Sequence, residues 1–213
     1  MEVTALCIRL MMNVMVVHVH LSYSHRAVFP QVVPNRLQFF EYESIVISCE
    51  GLEGLSGWRV MRKLMGVSTI CASSWETYTG ACTIKNAFAA ESGEYWCEAA
   101  GRRTGDAVNI TVTAGSVILE SPVLPVMEGD DVTLSCRKKA TSSNLTADSY
   151  KDGLFLGSSS TGEMIIPSVS RSDEGLYRCN ISGSGESPQS RLTVRGRHSD
   201  SAVQKENLLQ PHS

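Results

Sequence analysis

The central part of this 213-residue sequence contains no histidine. Residues 27–194 therefore exclude nucleophilic triads and mixed cysteine–histidine zinc sites, because both need an imidazole that the fold holds in place. The sequence also lacks a Cys-x-x-Cys metal motif and a Gly-x-x-x-x-Gly-Lys phosphate loop. We predict that the protein is not an enzyme and uses no metal or cofactor. The five histidines lie near the two ends, at His18, His20, His25, His198 and His212.

Charge and long apolar runs are also scarce. Charged residues make up 19% of the sequence and the formal net charge is −3, so we expect no nucleic-acid partner. Arg9 precedes a mostly apolar stretch, and the small residues Ser22 and Ser24 follow it, which predicts a signal peptide over residues 1–24. The alternative for this stretch is a buried strand or helix. No other segment approaches the ~20 apolar residues of a transmembrane helix, and the polar tail 195–213 is predicted to be disordered.

The motif Gly-x-Tyr-x-Cys occurs twice, as Gly93–Cys97 and Gly175–Cys179. Each motif follows an upstream cysteine, Cys49 or Cys136, placed 48 or 43 residues before the second cysteine. This pattern is typical of an immunoglobulin-type sandwich, in which a disulfide joins the two sheets and a tyrosine hydroxyl bonds back to a corner of the chain. Because the pattern repeats at domain-sized spacing, the sequence predicts two tandem domains.

The predicted fold is all-β, with one immunoglobulin-like sandwich over residues 27–113 and another over 116–194. Alternation supports both, because Ile45 and Ile47 share the parity of Cys49, and Val132 and Leu134 share the parity of Cys136. The linker between them is only a few residues long. We expect it to hold the two domains at a bent and semi-fixed angle.

The two predicted cores differ in aromatic content. Trp58 follows Cys49 by nine residues and is expected to pack against the disulfide of the first domain. No tryptophan lies between the two cysteines of the second domain, where Tyr150 or Leu145 is expected to fill the space. The second core should therefore be the less aromatic of the two.

Two further cysteines, Cys71 and Cys82, lie 11 residues apart in the first domain. We predict that they bond to each other, and the alternative is that one of them bonds to another chain. An even number of body cysteines in an exported protein is typical of a disulfide framework. The sequence also contains three glycosylation sequons, at Asn109, Asn144 and Asn180.

These features together resemble leukocyte Fc receptors and Fc receptor-like proteins. The resemblance rests on the tandem domains, the short elbow and the runs 91–97 and 126–136. Tyr150–Gly153 and Ile165–Pro167 are similar to the second domain of the family. The extra cysteine pair resembles fish members more than mammalian ones.

The resemblance implies where a ligand would bind. In Fc-binding members, the second domain and the elbow grip antibody Fc, and two tryptophans enclose an Fc proline. The matching positions here are Ser116 and Lys139, so both aromatic anchors are missing, which argues against ordinary IgG-type binding. The alternative for the basic cluster 137–139 is solvated loop charge. The ligand-contact residues predicted in this way are Ser116, Arg137, Lys138, Lys139, Ser160, Gly183 and Ser184.

The predicted function is that of a secreted or shed immune receptor-like binding protein. Its partner is a protein ligand, with immunoglobulin Fc as the first candidate, recognised through the second domain and the elbow. The protein would be extracellular, or at the cell surface if the chain is part of a longer receptor. The alternative is an immunoglobulin-superfamily adhesion protein, or another ligand-binding receptor ectodomain, without affinity for Fc.

Overall fold

The structure is a computed structural model that describes residues 29–49, 58–71, 81–123, 126–139 and 145–196. Regular structure in these ranges consists of strands and two short 3₁₀ turns, Ala89–Glu91 and Arg171–Asp173. None of the described helices is long and apolar enough to cross a bilayer. The predicted signal peptide, the sequon at Asn144 and residues 197–213 of the predicted tail lie outside the described residues.

The first sandwich is built from two sheets. The strands are β1 (Pro30–Val33), β2 (Gln38–Phe40), β3 (Ile45–Cys49), β4 (Arg59–Leu64), β5 (Val67–Ile70), β6 (Cys82–Ile84), β7 (Gly93–Ala99), β8 (Arg102–Arg103) and β9 (Val108–Thr113). One sheet has the order β1-β3-β6, and the other has the order β2-β9-β7-β4-β5 with β8 added beside β7. β2 runs parallel to β9, whereas the other pairs are antiparallel.

The second sandwich repeats this plan. The strands are β10 (Val117–Glu120), β11 (Val126–Met127), β12 (Val132–Lys138), β13 (Ala147–Lys151), β14 (Leu154–Ser159), β15 (Glu163–Ile166), β16 (Gly175–Ile181), β17 (Gly185–Glu186), β18 (Ser190–Leu192) and β19 (Val194–Arg195). One sheet has the order β10-β12-β15, and the other has the order β14-β13-β16-β17 with β18 beside β16. β11 and β19 form a separate parallel pair.

The predicted alternation is confirmed in both sandwiches. Ile45, Ile47 and Cys49 are buried while the residues between them are half-buried, and β12 repeats the alternation at every second residue from Val132 to Cys136. This period of two places one face of each strand in the core, as the pleat of a strand requires. Each sandwich therefore has its own hydrophobic core.

The second core is less aromatic, as predicted. Phe39 and Tyr95 are buried in the first core, and Trp58 packs against the same cluster, which includes Cys49 and Cys97. The second core has Tyr177 as its one aromatic member among the described residues. Leu145 packs against this core, whereas Tyr150 is a half-buried residue outside the cluster.

Three disulfides lie among the residues that the structure describes. Cys49 bonds to Cys97 and Cys136 bonds to Cys179, so each of these bridges joins the two sheets of one sandwich. The third bond joins Cys71, just after β5, to Cys82 at the start of β6.

Both tyrosine corners close as the motif predicts. The hydroxyl of Tyr95 donates to the carbonyl of Glu91 at 2.7 Å, and that of Tyr177 donates to the carbonyl of Asp173 at 2.6 Å. Burial of the phenol raises the pKa of Tyr95 to about 12, and it raises the pKa of Tyr177 to about 12 as well.

Two loop regions show where local prediction succeeds and fails. Asp152 and Gly153 have φ values of 50° and 82° and turn β13 into β14, as the Asp-Gly pair predicts. The sequence of residues 83–88 favours one continuous strand before the tyrosine corner, but β6 ends at Ile84. Asn86 has a φ of 52°, which takes the chain out of the extended conformation before the corner.

Candidate functional site

Ser116 and Lys139 lie side by side at the junction of the two sandwiches. β10 pairs with β12 so that Val117 faces Lys138, and the Lys139 amide donates to the Ser116 carbonyl at 2.9 Å. The two positions implied by the family resemblance are therefore neighbours, although they are far apart in sequence. Neither carries an aromatic side chain, so the surface they form is polar.

An open depression of about 400 Å³ lies at this point. Five of the seven predicted ligand-contact residues line it, one from the elbow, two from the end of β12 and two from the turn between β16 and β17. They are Ser116, Lys138, Lys139, Gly183 and Ser184. The arrangement offers two cationic side chains, hydroxyl groups and backbone groups, a set that suits a polar or acidic protein surface.

The turn that carries Gly183 and Ser184 is held by backbone geometry. Gly183 has a φ of 74°, a region that glycine enters without steric penalty, and the Ser184 amide donates to the Ile181 carbonyl at 2.9 Å. No atom lies within 4 Å of the Cβ that an alanine would add at Gly183. Gly183 is therefore required by the backbone conformation of the turn rather than by close packing.

Lys139 links this depression to the first sandwich. Its ammonium lies 5.9 Å from the ring centroid of Phe40 and 5.7 Å from that of Tyr42. Tyr42 in turn makes an edge-to-face contact with Phe88 at 5.3 Å between centroids. No signal in the sequence points to Tyr42 or Phe88, because no spacing rule relates two residues that lie on separate turns.

Arg137, also predicted as a ligand contact, is engaged within the molecule. Its guanidinium lies 2.6 Å from the carboxylate of Glu43 and 2.8 Å from that of Glu120. Arg36 lies 2.9 Å from each of the same two carboxylates. These four side chains, Arg36, Glu43, Glu120 and Arg137, form an ion-pair network between the two sandwiches.

The carboxyl group of Glu43 is the best-connected member of this network. Burial acts to raise its pKa, but hydrogen bonds from Arg137 and from the Phe40 amide, with the charges of Arg36 and Arg137, outweigh burial. The pKa of Glu43 therefore lies below its ordinary value. Glu43 stays ionised at neutral pH and attracts guanidinium groups from both sandwiches.

A buried glutamine makes the second connection across the elbow. The side-chain oxygen of Gln38 accepts a hydrogen bond from the Leu119 amide at 2.8 Å, and its side-chain nitrogen donates to the Pro188 carbonyl at 2.9 Å. Gln38 lies on β2 of the first sandwich, whereas both partners belong to the second. A buried amide with its polar groups bonded in this way fixes orientation more than it adds stability.

The remaining predicted residues are spread over the surface. Ser160 is exposed in the turn between β14 and β15 and does not line the depression. Asn109 is exposed on β9, and Asn180 is half-buried on β16. Glycosylation of these asparagines stays a prediction. Within the described ranges, no group of three or more His, Cys, Asp or Glu residues is arranged to hold a metal ion.

Comparison with known proteins defines the class. Residues 116–195, which form the second sandwich, match the immunoglobulin domain family. The second sandwich is therefore an immunoglobulin domain, and the relatives of the chain include proteins named as Fc receptor-like proteins.

Within that class, the homologues are Fc receptor-like proteins and immunoglobulin gamma Fc region receptors, so the predicted resemblance is confirmed. Human Fc receptor-like protein 5 is 37% identical over 49% of this chain and 11% of its own length. Human Fc receptor-like protein 4 is 28% identical over 73% of this chain and 29% of its own length. Mouse low affinity immunoglobulin gamma Fc region receptor II is 26% identical over 80% of this chain and 51% of its own length.

The matched regions thus span from about a tenth to half of these relatives. Among solved structures, the second Ig-C2 domain of human Fc-receptor like A is 28% identical, with a TM-score of 0.33, over 38% of this chain and 98% of that chain. The resemblance to fish members in particular stays a prediction.

Proposed function

We propose that this immune receptor homologue is a secreted or shed extracellular protein that binds a protein ligand at the elbow. The observation that carries the proposal is the depression at the sandwich junction, where Ser116, Lys138, Lys139, Gly183 and Ser184 come together. Immunoglobulin Fc is the first candidate ligand, because gamma Fc region receptors are among the relatives.

The expected contact is polar rather than aromatic. Ser116 and Lys139 stand where Fc-binding members of the family have tryptophans, so enclosure of a proline between two rings is not available at these positions. Lysines give a charge-dependent association instead, with a marked sensitivity to salt. The ligand should therefore present carboxylates to the depression.

Biolayer interferometry with the full chain tests this proposal. Purified immunoglobulins of each isotype from the same species serve as analytes, at two salt concentrations. The double variant Lys138→Glu with Lys139→Glu should weaken binding about tenfold or more, because two favourable charges become two unfavourable ones. Lys63→Glu, which changes an exposed lysine on β4 of the first sandwich, serves as the matched control. Absence of binding to every isotype would reject the Fc proposal.

A second candidate function, homophilic adhesion, is supported by β14. This strand lies at the edge of its sheet and exposes Leu154, Phe155 and Leu156 by 72%, 58% and 48%. An apolar edge strand can pair with another strand through its free backbone groups. Light scattering after gel filtration tests this alternative. A dimer at micromolar concentration that Phe155→Lys converts to monomer would favour adhesion, and a monomer at all concentrations would reject it.

A further inference from the structure

Tyr42 and Phe88 form an aromatic pair that lies outside both hydrophobic cores. Their side chains are 60% and 50% exposed, and their rings meet edge to face with centroids 5.3 Å apart. The neighbouring aromatic residues Phe39 and Phe40 are buried. A pair of rings held in mutual contact at the surface leaves apolar area in water, and such areas mark interaction sites more often than isolated exposed side chains do.

The backbone holds this pair in place without burying it. Tyr42 has a φ of 76°, in the left-handed region that bulky residues rarely adopt. Its amide donates to the Ala87 carbonyl at 2.7 Å, and the Ala87 amide donates to the Glu43 carbonyl at 2.9 Å. Backbone strain of this kind persists only where surrounding contacts enforce it, and it is concentrated at functional positions.

Phe88 is fixed by the turn that follows it. Its amide donates to the carboxylate of Glu91 at 2.9 Å, and the Ala89 amide donates to the carboxylate of Glu41 at 3.2 Å. Glu41 and Glu91 therefore accept hydrogen bonds from backbone amides, and Glu43, which follows Tyr42, belongs to the ion-pair network. The two rings are presented by two turns that are tied to each other, so the pair is ordered before any partner arrives.

The charge beside the rings comes from the second sandwich. Lys139 places its ammonium 5.7 Å from the Tyr42 centroid and also lines the depression with Lys138. Neither lysine has a carboxylate partner among the residues that the structure describes, whereas six arginines form ion pairs there. These two lysine charges, which form no ion pair there, favour a partner that brings a carboxylate to them.

We infer that Tyr42, Phe88, Lys138 and Lys139, here called the aromatic–lysine surface, dock a protein segment that presents a carboxylate beside an apolar side chain. The rings supply the apolar anchor, and the lysines supply orientation and fast association. The inference rests on the proposed function for the identity of the partner, because the surface is continuous with the depression through Lys139. It places the main aromatic contacts on the first sandwich rather than at Ser116 and Lys139.

A small probe tests the chemistry without any antibody. The dye 8-anilinonaphthalene-1-sulfonate combines an apolar ring system with one negative charge, and its fluorescence reports binding. The full chain should bind it, and Tyr42→Ser with Phe88→Ser should weaken binding about tenfold. Lys139→Glu, an exposed single change that leaves the rings in place, should weaken it about fivefold. Met65→Ser with Val67→Ser removes two exposed apolar side chains elsewhere on the same sandwich and should change binding less than about twofold.

The outcomes separate this inference from the Fc proposal. Dye binding that is absent, or that falls equally in the control variant, overturns the aromatic–lysine surface. Immunoglobulin that binds the ring variant as tightly as the unmodified chain also overturns it, while leaving the Fc proposal intact. Dye binding that depends on the rings and on Lys139, without binding of any immunoglobulin isotype, supports the surface and rejects Fc as its partner. Thermal unfolding of each variant shows that it is folded.

Discussion

At the position beside the second cysteine of the central disulfide, the first sandwich has Val60 and the second has Ser149. Val60 is paired with Cys97 on the neighbouring strand, and Ser149 is paired with Cys179 in the same way. Val60 is fully buried and Ser149 is 9% exposed. The second sandwich thus keeps the same fold with a small polar side chain at the centre of its core.

The two sandwiches also differ in their covalent bonds. The first has the additional bond between Cys71 and Cys82, whereas the second has the central bridge alone among the described residues. Both retain the tyrosine corner and the strand alternation. The comparison indicates that the bridge, the corner and the alternation define the fold, and we expect the composition of the core to set how stable each sandwich is.

Removal of the central disulfide of the second sandwich should cause the largest loss of stability. Cys136→Ala with Cys179→Ala should destabilise that sandwich by about 4 kcal/mol. The disulfide joins cysteines 43 residues apart, and without it the unfolded chain gains conformational entropy. Cys71→Ala with Cys82→Ala should destabilise the first sandwich by about 3 kcal/mol or less. Urea unfolding of the full chain measures both. The ranking would be contradicted if loss of the Cys71–Cys82 bond lowered the free energy of unfolding as much as loss of the Cys136–Cys179 bond, or more.

Substitutions at Val60 and Ser149 test the difference between the two cores. Val60→Ser should destabilise the first sandwich by about 2–3 kcal/mol, because it removes buried apolar area and adds a hydroxyl to the core. Ser149→Val should stabilise the second sandwich by about 1 kcal/mol, because it buries additional apolar area. Calorimetry of the two variants gives the values. If both changes are destabilising, the hydroxyl of Ser149 has a structural role that the comparison with Val60 does not capture.

The ion-pair network should make the contact between the sandwiches weaker at low pH. The folded pKa of Glu43 lies below the reference value of 4.5, so its contribution is complete above that value and is lost as pH falls through the lowered pKa. Glu43→Gln should weaken docking by about 1–2 kcal/mol at neutral pH, since it leaves Arg137 and Arg36 with one carboxylate partner.

Small-angle scattering between pH 7 and pH 3 measures the angle between the sandwiches. The unmodified chain should open on acidification, and Glu43→Gln should already be open, or nearly so, at neutral pH. Glu98→Gln, which removes a carboxylate paired with Arg59 within the first sandwich, is the matched control. A scattering profile that does not change with pH would contradict a structural role for the network.

The smallest expected effect concerns the two corners. Tyr95→Phe and Tyr177→Phe should each destabilise their own sandwich by about 1 kcal/mol, because a carbonyl loses its donor. Burial raises both pKa values to about 12 from 10.0, so the stabilising contribution is complete below pH 10 and is lost as pH rises through 12. Ultraviolet titration should show Tyr95 and Tyr177 ionising late, and each variant should remove one of these two transitions.

The fold could largely be predicted from the sequence because its signals are local. The Gly-x-Tyr-x-Cys motif places a tyrosine, a cysteine and a turn within five residues, and alternation identifies the buried face of β3 and β12. The end of β6 could not be predicted in this way. The apolar residues after Ile84 are compatible with a longer strand, and only the backbone of Asn86 shows that the chain turns.

The site could be predicted only in part. The family resemblance predicted five residues of the depression. They lie together in the structure because the pairing of β10 with β12 brings the elbow next to the end of β12. The engagement of Arg137 could not be predicted, since its partner Glu43 is 94 residues away in sequence. Tyr42 and Phe88 were missed for the same reason, because they meet through a backbone contact at Ala87 rather than through any sequence period.

The hydrogen bonds of Gln38 have a consequence for the thermodynamics of recognition. A change of angle between the sandwiches would break its bonds to Leu119 and Pro188 together, and it would leave a buried amide without partners. A ligand that touches both sandwiches therefore meets two surfaces whose spacing is already set, and little orientational entropy is lost when it binds. Ligands of one size and curvature should be favoured, and affinity should be lost mainly through faster dissociation when Gln38 is replaced.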